Sequence, residues 1–209
     1  MIINIGRQLA SGGKTIGSII AKHFDMSYYD KDLLSIAANE SGLKTDVFER
    51  VDEQANKGFV GSFMNFAGIG SLASFTSVGY NNGLTNEELF RIQSEVIQKL
   101  ASEHDSVFIG RCADYVLRSR TDCLNIFFCA DLQARIDRIR RNHSEISEKE
   151  AISIIEHNDK IRSEYYNFYT NKKWGMSTSY HLCINTSVLG VEQTAQQVIE
   201  FINLYKTKL

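Results

Sequence analysis

Apolar residues fall along the chain in two patterns that take turns. Short runs with little polar interruption, IINI (2–5), MSYY (26–29), SVFIG (106–110), LNIFFCA (124–130) and YHLCIN (180–185), read as strands, most of them covered on both faces. Between them the apolar positions recur every three or four residues. Ile16, Ile19, Ile20 and Phe24 share one helix face, as do Leu89, Ile92, Val96 and Leu100, and later Val191, Ala195, Val198 and Ile202. Strands alternating with helices predict an α/β fold, a five-stranded parallel sheet flanked by helices.

Helix starts agree with this reading. Thr85 with Glu88 and Ser147 with Glu150 fit the capping box, Asp46 and Asp131 suit N-caps, and Gly42 suits the end of a helix that begins near Lys31. The segment 55–84 departs from the pattern: it gathers glycines together with Phe59, Phe63, Met64, Phe66, Phe75 and Tyr80. So many aromatics predict an insert that folds back on the body or closes over a ligand, or else a loop that packs on a dimer partner. At 209 residues the chain is expected to form a single domain carrying this insert.

Charge narrows the range of partners. With 23 Lys+Arg against 25 Asp+Glu and a net charge of -2, the chain has no field that would favour nucleic acid or an anionic membrane. It has no leader-like segment and no apolar run of membrane-spanning length, so a soluble, cytoplasmic protein is expected. Cys112, Cys123, Cys129 and Cys183 have neither zinc-site spacing nor the density of a disulfide scaffold, and the five histidines are scattered. Any phosphate must therefore be gripped locally.

The first strand-to-helix turn, GRQLASGGKT (6–15), offers such a grip. Backbone amides in a glycine-rich turn and at a helix N-terminus face a bound anion, and the helix dipole adds favourable potential. Lys14 would reach the terminal phosphates, Thr15 would hold magnesium, and Gly12 and Gly13 would let the backbone approach. The strict pattern wants a glycine at position 8, where Gln8 stands, so the loop is a variant; the plain alternative is a simple turn followed by a surface lysine.

Three further places can carry charge to a phosphoryl group. Gly110, Arg111 and Asp114 follow the third strand, on the side where ligands of open α/β sheets bind, so Arg111 is placed to grip a phosphate or, alternatively, to cap a helix. Asp30 follows the second strand, where it would orient a magnesium-bound water, bind a substrate hydroxyl or cap the next helix. Arg135, Arg138 and Arg141 continue one helix face, and Asp159, Lys160 and Arg162 follow on another helix. Two such helices, over about residues 138–163, predict a hinged lid with catalytic cations or, more simply, a solvated surface.

The order of these motifs resembles that of the cytidylate kinase-like branch of the bacterial cytidylate kinases, over about residues 2–202 and most weakly over 55–84. The resemblance implies the P-loop nucleoside-monophosphate-kinase architecture and transfer of the γ-phosphoryl of ATP, with Mg2+, to CMP or dCMP. It implies that Ser11, Gly12, Gly13, Lys14 and Thr15 hold the ATP phosphates, that Asp30 stands on the monophosphate side, and that Arg111, Asp159 and Arg162 serve the acceptor. The family's aspartate after Gly110-Arg111 is Cys112 here, which leaves Asp114 as its substitute, and the first arginine and aspartate of the lid run fall at Ile155 and Glu156. Arg138, Arg141 and Lys160 would make good the missing cations. The expected partners are thus small-molecule nucleotides, with a homo-oligomer left open. Two other readings stand beside this one: a nucleotide-binding module without turnover, and a kinase for a non-nucleotide small molecule.

Overall fold

The computed structural model describes residues 1–30 and 86–208. The chain divides into two compact units, Met1–Tyr28 with His104–Leu209, and Tyr29–Glu103. In chain order the described elements are β1 (Ile2–Arg7), α1 (Gly13–His23), β2 (Ser27–Tyr29), α2 (Asn86–Glu103), β3 (Ser106–Ile109), α3 (Ala113–Val116), β4 (Cys123–Cys129), α4 (Leu132–Asn142), α5 (Glu148–Thr170), β5 (Leu182–Asn185) and α6 (Gly190–Lys206). In the second unit α2 buries Ile92, Val96, Ile97 and Ala101, the spacing of one amphipathic face.

The strands form the expected five-stranded parallel sheet, in the order β2-β3-β1-β4-β5. β1 lies between two parallel partners, with Ile2 opposite both Ser106 and Cys123, and β4 continues the sheet with Ile126 opposite Leu182. Connections leaving β1 and β4 run to opposite edges of the sheet, and it is at such a switch point, outside the carboxyl ends of the strands, that open α/β sheets bind their ligands.

One sheet face carries Ile3, Ile5, Val107, Ile109, Leu124, Ile126 and Phe128, covered by Ile16 and Ile20 of α1 and by Ala195, Val198 and Ile202 of α6. Alternation sends Asn4 and Gly6 of β1 and Asn125 and Phe127 of β4 to the other face. There Asn4 donates to Asn125 Oδ1 at 2.8 Å, and Phe127 meets Trp174 and Tyr180.

The Ser147–Glu150 capping box forms as its spacing predicts. Asp131 takes the N-cap place of α4 but turns its carboxylate to the Asn185 amide, 2.8 Å away, instead of to the helix. Thr85, Gly42, Asp46, the helix expected near Lys31 and the insert over 55–84 lie outside the described residues.

Candidate active site

Between the end of β1 and the start of α1 the chain turns through Gln8 to Gly12. Gln8 extends the sheet by one step: its amide donates to Phe128 O at 3.0 Å, and its side-chain oxygen accepts from Ala130 N at 3.1 Å. Its φ is not positive, which is why a glutamine serves where the strict motif has glycine. The left-handed positions are Ala10, with φ 56°, and Gly12, with φ 87°.

Both glycines of the pair are sterically required. A Cβ on Gly12 would lie 2.7 Å from Val191 Cγ2, and one on Gly13 would lie 2.8 Å from Arg7 Cβ. Gly12 is the N-cap of α1 without any side-chain cap, and no acidic residue stands in the first turn. The first intrahelical bond runs from Ile16 N to Gly12 O, and Gly13 N donates to Ser11 Oγ at 3.4 Å, so the N-terminus of α1, with the positive end of its dipole, begins at the loop. That positive end suits an anion.

Side chains hold the loop from behind. Arg162 donates to Arg7 O at 3.2 Å, Arg135 Nε to Leu9 O at 2.7 Å, Arg138 to Ala10 O at 2.9 Å and Thr186 Oγ1 to Ser11 O at 2.6 Å. Leu9 N donates to Asp159 Oδ1 at 2.8 Å, the other Asp159 oxygen pairs with Arg135, and Arg138 also reaches Thr186 at 3.3 Å. Because C=O and N–H point in opposite directions across a peptide plane, tying back the carbonyls of Leu9 and Ser11 aims the amides of Ala10 and Gly12 the other way. The pins therefore fix which side of the loop presents donors. Burial, and then the neighbouring charge of Arg141, lowers the pKa of Arg138, yet an arginine remains cationic.

A second cluster follows β3. Gly110, Arg111 and Cys112 are all left-handed, with φ of 74°, 60° and 55°. Such a run persists only where its surroundings over-determine it. Gly110 N donates to Ile5 O at 2.9 Å, and a Cβ on Gly110 would lie 2.2 Å from Arg7 Nη1, so the Arg7 guanidinium lies over this turn. Cys112 is buried as the N-cap of α3; burial, and then the charge of Asp114, pushes its thiol pKa up. Asp114 is buried too, accepting from Tyr166 OH at 2.7 Å, with Lys172 Nζ 3.9 Å from the same oxygen. Burial raises the Asp114 pKa, partly opposed by the Tyr166 bond and the Lys172 charge.

The structure brings Ser11, Gly12, Gly13, Lys14 and Thr15 together at the helix start, with Lys14 and Thr15 exposed. Arg138, Arg162 and Asp159 bond to the loop backbone, while Arg141 is exposed. Asp114 faces Tyr166 on α5, and Asp30 is buried just after β2. Among the described residues no group of three His, Cys, Asp or Glu could hold a metal ion by itself. Were magnesium held here, the exposed Thr15 hydroxyl and the phosphates of a bound substrate would supply its ligands.

Sequence reasoning did not single out Arg7, Thr186 or Tyr166 as site residues, and it read Arg135 only as part of a helix face. Thr186 directly follows β5, and a hydroxyl just past a strand end beside a glycine loop was a usable signal. Nothing in the spacing pointed to Tyr166.

Comparison with known proteins accords with this geometry. The chain is similar over 97% of its length, and over 98% of the other chain, to the crystal structure of an uncharacterized protein from Eubacterium ventriosum, at 24% identity and a TM-score of 0.68. It also resembles shikimate kinase from Bacteroides thetaiotaomicron, at 11% identity and a TM-score of 0.51, covering 97% of this chain and 98% of that one. These likenesses show the P-loop kinase fold. A search of curated proteins gives no significant match. Among the described residues no helix is long and apolar enough to cross a membrane. The model of the cytidylate kinase-like family matches residues 2–188, and the chain belongs to that family.

Proposed function

We propose that the protein is an ATP-dependent phosphotransferase whose acceptor is a nucleoside monophosphate, CMP or dCMP before others. The observation that carries the reading is the pinned loop. Arg135, Arg138 and Thr186 hold three loop carbonyls, and Arg162 the Arg7 carbonyl at the end of β1, which turns the Ala10 and Gly12 amides and the positive end of α1 toward a polyphosphate. Such a cradle is built before the ligand arrives and needs no reorganisation during reaction.

In this reading Lys14 reaches the transferring phosphoryl group, and Arg111 with Arg7 neutralises the acceptor phosphate. An acceptor phosphate oxygen attacks the γ-phosphorus; the bond to the β,γ-bridging oxygen breaks, and ADP departs as a nucleoside diphosphate forms. Thr15 is the residue that would hold Mg2+, which when bound supplies charge neutralisation to the phosphates. The protein's share is positioning and electrostatic complement.

One observation favours a different acceptor. The family's aspartate is the buried Cys112 here, while Asp114 and Asp159 have their carboxylates engaged with Tyr166 and with Leu9 and Arg135. Acidic recognition of a cytosine base at these three positions is thereby weakened, and a non-nucleotide hydroxyl compound comes next in line. A coupled ADP-release assay with CMP, dCMP, UMP, AMP and shikimate decides between them. Turnover dependent on CMP or dCMP supports the first reading, and turnover with shikimate alone the second. ATP binding without turnover on any of them leaves a nucleotide-binding module.

A further inference from the structure

One face of α5 reaches both halves of the site. Asp159 and Arg162 bond to Leu9 N and Arg7 O of the phosphate loop, and Tyr166, one turn beyond Arg162, donates to Asp114 just past the left-handed turn. These three positions lie three and four residues apart, so they share a face of a continuous helix. We infer that the Tyr166–Asp114 hydrogen bond is a positioning strap that fixes the Gly110–Cys112 turn, and with it Arg111, at a set distance from the phosphate loop. The inference rests on the proposed role of Arg111 at the acceptor.

The turn itself needs such a strap. Arg111 and Cys112 hold positive φ without being glycine, at 60° and 55°, a strained backbone that persists only where its surroundings impose it. α3 spans only Ala113–Val116 and cannot anchor the turn by its own length. Asp114 is its second residue. Its carboxylate is 8% exposed, and Tyr166 binds it in a setting where an unmade bond is expensive.

Tyr166 is fixed in its turn. Its ring stacks on Tyr180 at 6.1 Å, and Tyr180 rests against Gly6, where a Cβ would approach its ring to 3.2 Å, and against Phe127 at 4.9 Å. Gly6 and Phe127 belong to β1 and β4, so the strap is referenced to the strands that bear the loop. The aromatic packing and the hydrogen bond are separable, which makes the inference testable.

Tyr166→Phe keeps the ring and removes only the hydroxyl. With CMP as acceptor we expect its KM to rise about tenfold, the scale of one lost hydrogen bond to a charged group, while ATP affinity by calorimetry stays within about twofold. Asp114→Ala should match Tyr166→Phe, Asp114→Asn, which keeps an acceptor oxygen, should lie nearer the wild type, and the double Tyr166→Phe/Asp114→Ala variant should be no worse than either alone. Amide hydrogen exchange on the same proteins should quicken in peptides covering 108–117 and not in those covering 5–16. An unchanged acceptor KM, equal losses for ATP and acceptor, or exchange quickened equally in both regions would overturn the strap. If the wild type phosphorylates no acceptor, the proposed function fails, and the exchange pattern alone then decides whether the strap orders the turn.

Discussion

Arg135 and Asp159 pair across α4 and α5, and together they grip both polar groups of one residue: Arg135 donates to Leu9 O at 2.7 Å, and Leu9 N donates to Asp159 at 2.8 Å. A helix-borne ion pair thus clamps the middle of the phosphate loop. Both side chains are largely out of solvent, so the pair behaves as a buried one. Removing one member strands the other and costs more than the pair itself contributes.

Asp159→Ala should accordingly destabilise the protein by about 3–5 kcal/mol, a fall in melting temperature of about 6–20 °C for a chain of this size. Asp159→Asn keeps an acceptor for Leu9 N and should fall less. Thermal unfolding of the two variants is the measurement. A melting temperature unmoved by Asp159→Ala would mean that the carboxylate serves a ligand and not the loop.

Lys14 predicts the opposite separation. Its side chain is exposed in the first turn of α1 and contributes little packing. Lys14→Ala should lower kcat/KM by about 10²–10³, the scale of losing one preorganised transition-state contact, with stability within about 0.5 kcal/mol of the parent. Steady-state rates with calorimetric melting test both halves. Full activity in the variant would remove the lysine from the reaction.

Gly12 carries two independent penalties against any side chain. Its φ of 87° is left-handed, and a Cβ would sit 2.7 Å from Val191 Cγ2. Gly12→Ala should lose about 1–2 kcal/mol for the backbone alone and a further ~1–3 kcal/mol for the overlap. Adding Val191→Ala should recover the second part and leave the first. Denaturant melts of the four proteins in this cycle give the coupling directly, and strictly additive losses would show that Val191 is not the obstacle.

How much of this was legible beforehand depends on the kind of interaction. The five strands and the packed faces of α1 and α6 follow from apolar periodicity, because burial against a sheet imposes that pattern locally. The glycine pair and Lys-Thr were legible for the same reason: a tight turn and a helix start are encoded within a few residues. Arg135, Arg138 and Arg162 were visible as charges, but their targets are carbonyls 126, 128 and 155 residues away in sequence, and backbone acceptors carry no sequence identity. Arginines spaced along a helix read alike whether they face solvent, a phosphate or a distant loop. Gln8 is instructive in reverse: the motif faulted it for lacking a glycine, whereas the backbone there is extended enough to keep its sheet bond to Phe128.

Asp114 gives the protein a pH dependence whose sign can be worked out. Burial raises its pKa, with the Tyr166 hydroxyl and Lys172 opposing that rise without cancelling it. A carboxyl whose folded pKa is raised lends its stability fully below the unfolded value of about 4 and loses it as pH climbs through the folded value. Asp114→Asn has no proton to lose and escapes that loss. The melting temperature of Asp114→Asn relative to the wild type should therefore climb as the pH is raised from about 4 toward neutrality. Paired melts across that range cancel every other titrating group. A difference that falls with pH would mean that the ionised carboxylate is the form the fold prefers, with Lys172 outweighing burial.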